Sequence, residues 1–178
     1  MQPFCWQTGI RQWVVLRLGE ESLIADLKIE GLEMPTVQEC LDQKPKRIIS
    51  VSSTDSVFKA LELMKSNRVR AILVIDEERL VGIVSQGDCA IRAYLRGLNI
   101  KSTPVSDIMT KEPLTVKPSD SIDHCMAIIS SRGIRHIPVV DRNQVIGIVS
   151  VGDVVKETMS QLSQNASFLE TFIKGHSG

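Results

Sequence analysis

One segment, Gly-Ile-Val-Ser-x-Gly-Asp, occurs twice in the chain, at 82–88 and at 147–153. Its residue types suit the capture of a polar ligand. Ile-Val reads as the end of a strand, and the residues after the serine read as the start of a helix. Free amides at a helix start point outward, and the helix dipole there favours an anion. Gly152 lets a ligand or another chain segment approach the backbone closely. Asp153 is an acceptor-only carboxylate able to take both hydroxyls of a ribose diol, and Ser150 can donate or accept. Ser85, Gly87 and Asp88 repeat the set. The same spacing also builds a plain helix cap, in which the aspartate satisfies its own first turn, so both readings stand at this point.

A second group surrounds the strand that precedes each motif. Arg70 and Arg135 occupy equivalent positions at the start of that strand. A guanidinium fork suits phosphate oxygens, and it suits equally a salt bridge between domains. His136, beside Arg135, has no twin, because Ala71 takes its place; a hydrogen bond to phosphate and an ordinary structural role are both open to it. Pro138, with Leu73 as its counterpart, has no amide hydrogen and must sit where no ladder bond is required.

These residues belong to an internal repeat. Residues 51–88 align with 116–153 at a constant offset of 65 and without gaps. Upstream, Val37…Lys44-Pro45 resembles Val105…Glu112-Pro113, with three extra residues following in the first copy. Each copy predicts the same elements. A short strand comes first, at 48–51 and 114–116. A helix follows, with Thr54 and Ser119 as expected N-caps and Asp55 and Asp120 at its positive end. Val57, Ala60, Leu61 and Met64, and Ile122, Cys125, Met126 and Ile129, fall on one helical stripe. Buried strands follow at 71–75 and 137–140. Turns at 76–78 and 141–143 lead into returning strands at 81–84 and 146–149. A second helix begins at Gly87 and Gly152. The expected fold class is α/β (α+β), two tandem β-α-β-β-α repeats.

The expected division is an N-terminal extension at 1–33, poorly ordered; a first repeat at 34–96; a linker at 97–104, with Gly97, Ser102 and Pro104; a second repeat at 105–160; and a C-terminal amphipathic segment at 161–178 carrying Phe168, Leu169, Phe172 and Ile173. Residues 1–33 hold too short an apolar run for a secretory signal and too few arginines and serines for an organelle presequence. The expected location is therefore cytoplasmic.

Composition narrows the function. Lys plus Arg and Asp plus Glu number 21 each, and the pI is near 6.8. That balance argues against an electrostatic nucleic-acid binder. No run of about 18 apolar residues is present, so no transmembrane helix is expected. Aromatic residues are only 4%, which leaves no stacking platform for single strands. Cys5, Cys40, Cys89 and Cys125 are scattered, without metal-ligand spacing or a disulfide framework.

The two Gly-Ile-Val-Ser-x-Gly-Asp segments, with Arg135-His136-Ile137-Pro138-Val139-Val140-Asp141, resemble the CBS (cystathionine-β-synthase) domain over about residues 36–159. Two tandem copies make a Bateman module. The segment Phe168-Leu169-Glu170-Thr171-Phe172-Ile173-Lys174-Gly175 is similar to the tail of small stand-alone CBS-pair proteins. The resemblance implies pseudo-twofold packing with two clefts that bind adenosine compounds: AMP, ADP, ATP, NAD(H) or S-adenosylmethionine. It implies a homodimer acting as a regulator of a partner protein. It also implies that Ile48, Val51, Thr115 and Val116 face the adenine, although ordinary core positions would look the same. Gln86-Gly87 stand where related first copies often carry a charged residue. The two sites are therefore expected to be unequal, with the one at Asp153 the better.

Three functions follow. The first is a non-catalytic energy or redox sensor. The second is an enzyme, which the residues disfavour: GxGxxG, GxxxxGK[ST] and HExxH are absent, Ser85 and Ser150 lack a neighbouring His, and the barrel of IMP dehydrogenase needs about 250 residues. The third is a dimeric interaction scaffold with a vestigial nucleotide site.

Overall fold

The computed structural model describes residues 35–45 and 47–175, the side chains of 168–175 excepted. The extension at 1–33 and the apolar side chains of Phe168, Leu169, Phe172 and Ile173 lie outside what is described. Two β-α-β-β-α repeats are present. The first comprises β1 (Ser50–Val51), α2 (Val57–Asn67), β2 (Ala71–Asp76) and β3 (Arg79–Ser85), preceded by α1 (Val37–Asp42). A single helical turn, α3 (Gln86–Asp88), then passes into a π turn at Cys89–Ala93 and a 3-10 turn at Tyr94–Arg96. Gly97, with φ 70°, ends it in the left-handed conformation. The second repeat opens on a 3-10 turn at Val105–Asp107 and β4 (Thr110–Lys111). It continues with α4 (Ile122–Arg132), β5 (His136–Asp141), β6 (Gln144–Ser150) and α5 (Val151–Gly175).

The two hairpins are built alike. In β2–β3, Ala71 pairs with Ser85 and Val74 with Gly82; in β5–β6, His136 pairs with Ser150 and Val139 with Gly147. Both shift register one residue later. Each closes in a two-residue turn with both residues left-handed: Glu77 and Glu78 at φ 47° and 64°, Arg142 and Asn143 at 45° and 68°. Such turns match the twist of the strands but favour Asn and Gly. β1 runs parallel to β2. In the second copy the strand expected at 114–116 shrinks to one parallel bridge, Val116 to Val139. Pro138 contributes its carbonyl there, accepting from the Val116 amide at 3.1 Å, so its missing N–H leaves that bond intact.

The expected caps are corrected. Ser56 and Ser121, two residues past Thr54 and Ser119, cap α2 and α4 by accepting from the amides of Lys59 and His124. Asp55 and Asp120 lie outside the helices. Their carboxylates accept from the amides of Ser52 at 2.9 Å and Lys117 at 2.8 Å, closing the turn that leads into each helix. A short acid that can bond a backbone amide three residues back prefers that turn to the first helical position. The expected break before a separate C-terminal segment at 161–178 is also absent. α5 runs unbroken through Gly175, since no Gly or Pro stands between Asp153 and Lys174 to stop it.

The cores do not respect the sequence division at 34–96 and 105–160. Val37 and Cys40 of α1 are buried with Val116, Ile122, Cys125, Ile137, Val139, Val149 and Val154. Val105 and Ile108 are buried with Val51, Val57, Ala60, Met64, Ile72, Val74 and Val84. Each repeat thus fills its core with the arm that precedes the other. The glycines of the motif show how close the arms come. A Cβ on Gly82 would lie 2.5 Å from the Met109 sulfur, and one on Gly147 2.8 Å from a Leu41 methyl. The stretch 97–104 is more than a linker: Ile100 and Thr103 carbonyls accept from the amides of Phe58 and Val57 at the start of α2.

Candidate functional site

Two cavities lie where the repeats meet, and the repeat relates them. The larger, about 710 Å³, is lined by Arg70, Ile83, Ser85, Gly87, Asp88 and Arg92 from the first repeat. Pro113, Leu114, Arg132, Ile134, Arg135 and His136 line it from the second, together with Glu112 from the arm that precedes it. The smaller, about 270 Å³, takes Pro45, Asn67, Val69, Ala71 and Ile148 at the matching positions, with Lys44 in place of Glu112. Small-molecule pockets run from about 300 to 1,000 Å³, so the larger lies well inside that range and the smaller at its lower edge.

The two aspartates are held in the same way. Asp88 Oδ2 accepts from the Ser85 amide at 2.9 Å and from Ser85 Oγ at 2.6 Å, while the Asp88 amide donates back to Ser85 Oγ at 3.2 Å. Asp153 Oδ2 accepts from the Ser150 amide and Oγ, each at 2.7 Å, and its amide returns the bond at 3.3 Å. Both are therefore capping boxes, which is the bland reading of the motif. The cap does not exclude a ligand, because a carboxylate has about four acceptor positions.

What differs is the third partner. Lys44 Nζ donates to Asp153 Oδ2 at 2.7 Å and to the Ile148 carbonyl at 2.9 Å. Burial pushes the Asp153 carboxyl upward, but the Lys44 and Ser150 bonds outweigh it and hold the group below the usual carboxylate range. Asp88 instead faces Arg92 Nε at 3.3 Å, one turn along its own helix. Arg92 also donates to the Ile108 and Met109 carbonyls. The matching positions carry opposite charges: Lys44 and Glu157 beside Asp153, Glu112 and Arg92 beside Asp88.

Of the residues singled out by sequence, Ser85, Gly87, Asp88, Arg70, Arg135 and His136 come together around the larger cavity. Arg135 and His136 thus face Asp88 across the repeat boundary. Ile48 lines the smaller cavity. Ser150, Gly152 and Asp153 line neither, the Lys44 ammonium occupying the Asp153 carboxylate. Val51 and Val116 are core, 4% and 2% exposed, and Pro138 is buried beside Val139. Thr115 is exposed away from both cavities. The expected advantage of the Asp153 side is opposed by this geometry: the open cavity is at Asp88. Sequence reasoning missed Arg92, Arg132, Glu112 and Lys44. The last two were already visible as an opposite-charge pair at aligned positions.

Burial first, and then the positive charge of Arg135, hold His136 below its ordinary value, with Asp153 acting the other way. Cys40, Cys89 and Cys125 are free and buried. Desolvation pushes Cys89 and Cys125 up to about 11, so neither is a thiolate near neutrality. Among the described residues, no cluster of His, Cys, Asp or Glu could hold a metal ion. No helix among them is long and apolar enough to cross a membrane.

Comparison with known proteins agrees with the repeat. The CBS domain family matches residues 45–92 and 105–160. A CBS domain-containing protein of Arabidopsis thaliana, CBSX3, named as mitochondrial, is 30% identical over 94% of this chain and 85% of its own length. A protein with CBS domains from Burkholderia ambifaria superposes with a TM-score of 0.69 at 37% identity, covering 71% of this chain and 95% of that one. The CBS domain pair of protein MJ0100, in complex with 5-methylthioadenosine and S-adenosyl-L-methionine, has a TM-score of 0.64 at 25% identity, covering 72% and 99%. The chain belongs to the CBS domain family, as a tandem pair of α+β repeats.

Proposed function

We propose that this protein is a non-catalytic regulatory module that takes an adenosine nucleotide, AMP, ADP, ATP or NAD(H), in the cleft at Asp88 and reports energy or redox state. The observation that carries this is the cavity of about 710 Å³ to which one repeat contributes Ser85 and Asp88 and the other Arg135 and His136. A ligand there touches both repeats, so its binding energy depends on how they pack. A ligand with different affinity for two packings shifts their populations. The adenosine compounds held by the MJ0100 pair support this ligand class. Asp88 is the expected ribose partner, with Arg70 and Arg135 toward phosphate. Asp153 serves the fold.

We read the working form as a homodimer. Ile91, Tyr94 and Leu95 are 65%, 76% and 75% exposed on the last turns of the first repeat. Val151, Val155, Met159 and Leu162 form an exposed stripe on α5 at helical spacing. Both patches suit a second copy or a partner protein. Among the described residues Cys40, Cys89 and Cys125 are free, which suits a reducing compartment, the cytoplasm in this reading.

Titration calorimetry with AMP, ADP, ATP, NADH and S-adenosylmethionine tests the site. Micromolar binding weakened at least tenfold, about 1.4 kcal/mol, by Asp88→Ala but not by Asp153→Ala is the expected outcome. The exposed stripes favour a second reading, a dimeric scaffold indifferent to nucleotide. No heat with any ligand, in a folded dimer free of copurified nucleotide, would leave that scaffold as the account.

A further inference from the structure

We infer that the Asp88 cavity selects among adenosine ligands by phosphate count, taking nucleoside di- and triphosphates over monophosphates and over neutral or cationic adenosine compounds. The preference presupposes the nucleotide reading above. Four guanidiniums, Arg70, Arg92, Arg132 and Arg135, line this one cavity against two carboxylates, Asp88 and Glu112. Asp88 is already bonded to Ser85 and faces Arg92. Among the described residues, Arg70, Arg132 and Arg135 have no carboxylate within ion-pair distance. Three forks lining one space, none of them ion-paired and in excess over the two carboxylates, fit an anion with several oxygens better than a single phosphate. A sulfonium ligand would meet a net excess of positive charge.

The matching cavity is an internal control. It has Asn67 where this one has Arg132, and Ala71 where this one has His136. Its cations are Lys44, engaged by Asp153, and the single guanidinium of Arg47. The four-guanidinium cluster belongs to the Asp88 cleft. His136 sits beside this cluster: after burial, Arg135 is the largest charge disfavouring its protonation, with Asp153 opposing and Lys44 and Arg70 adding less.

The test is calorimetry of the full chain with adenosine, AMP, ADP, ATP, S-adenosylmethionine and inorganic tripolyphosphate, at low and high salt. ADP should bind at least about tenfold tighter than AMP, and the gap should narrow as salt screens it. The double variant Arg132→Gln/Arg135→Gln, checked by circular dichroism to be folded, should lose that gain, bringing ADP within about twofold of AMP. AMP and ADP of equal affinity, or tighter binding of S-adenosylmethionine, would overturn phosphate counting and leave the nucleotide site standing. Tripolyphosphate binding as tightly as ATP, with adenosine adding nothing, would overturn the nucleotide reading instead. Absence of binding by every ligand would overturn both.

Discussion

The two clefts descend from one pattern, and they end up with opposite charges at two matching positions, Lys44 against Glu112 and Glu157 against Arg92. Both begin with a serine and an aspartate locked in a capping box, and both receive an arm from the other repeat. On one side the arm brings Lys44, whose ammonium closes on Asp153. On the other it brings Glu112, which cannot pair with Asp88, and the cavity stays open to about 710 Å³. The arm charge is one of several aligned differences, with Asn67 against Arg132 and Ala71 against His136, between a structural ion pair and a ligand-sized space. The motif alone does not make a site; the residues gathered around it decide what the motif does.

That contrast can be broken most forcefully at the arms. Gly82→Val should destabilise the protein by about 3 kcal/mol, at the high end of overpacking costs. A Cβ there meets the Met109 sulfur and, 3.0 Å away, the Thr110 backbone oxygen, which cannot swing aside. Gly147→Val should cost less, since Leu41 alone crowds that position and its methyls can rotate. Equal losses in denaturant unfolding would show that the two arms are equally constrained.

Next in size is the latch. Lys44→Met should cost about 2 kcal/mol, the scale of a hydrogen bond to a charged group. At about 2–4 °C per kcal/mol for a chain of this size, Tm should fall by about 4–8 °C. Glu112→Met, at the matching position, should leave Tm within about 2 °C, because surface changes away from specific contacts are usually within about 0.5 kcal/mol. A matching loss from Glu112→Met would erase the asymmetry.

The hairpin turns sharpen the comparison further. Glu78→Gly should stabilise by about 0.5–1 kcal/mol, since a glycine relieves the left-handed φ of 64°. Asn143→Gly should gain less, because asparagine already tolerates that conformation.

The smallest effect is the pH response of His136. The folded state disfavours its protonation through burial and the charges of Arg135, Lys44 and Arg70, with Asp153 opposing. The unfolded chain thus binds this proton more readily. The associated stability is present above the ordinary value of 6.5 and is lost as pH falls through it toward the depressed folded value. His136→Gln should flatten Tm between about pH 7 and pH 5 by a small margin, within the range set by one partly shifted group. An unchanged slope would mean that His136 titrates freely.

Much of this was legible in the sequence. The offset of 65, the apolar stripes and the two hairpins are local periodicities, and local periodicity survives folding. The motif serines and aspartates were found because the pattern occurs twice. The caps were misplaced by two residues, since Thr54 and Ser56 are both good caps and only the Asp55 turn chooses between them. Val51 and Val116 read equally as core and as ligand wall, and packing decided for core. The grouping of Arg135 with Asp88 was not legible, because nothing in the order of residues says that each arm crosses to the other repeat.

The crossed arms also set a timetable. On a ribosome the first repeat completes its core when residues 105–109 emerge. The second cannot close until Val149 and Val154 reach Val37 and Cys40, which were made about 110 residues earlier, roughly 6–20 s at ordinary synthesis speeds. During that interval the earliest-made described arm has no partner of its own. The second repeat therefore closes on the arm that precedes the first, and the two repeats cannot be separated without opening both cores.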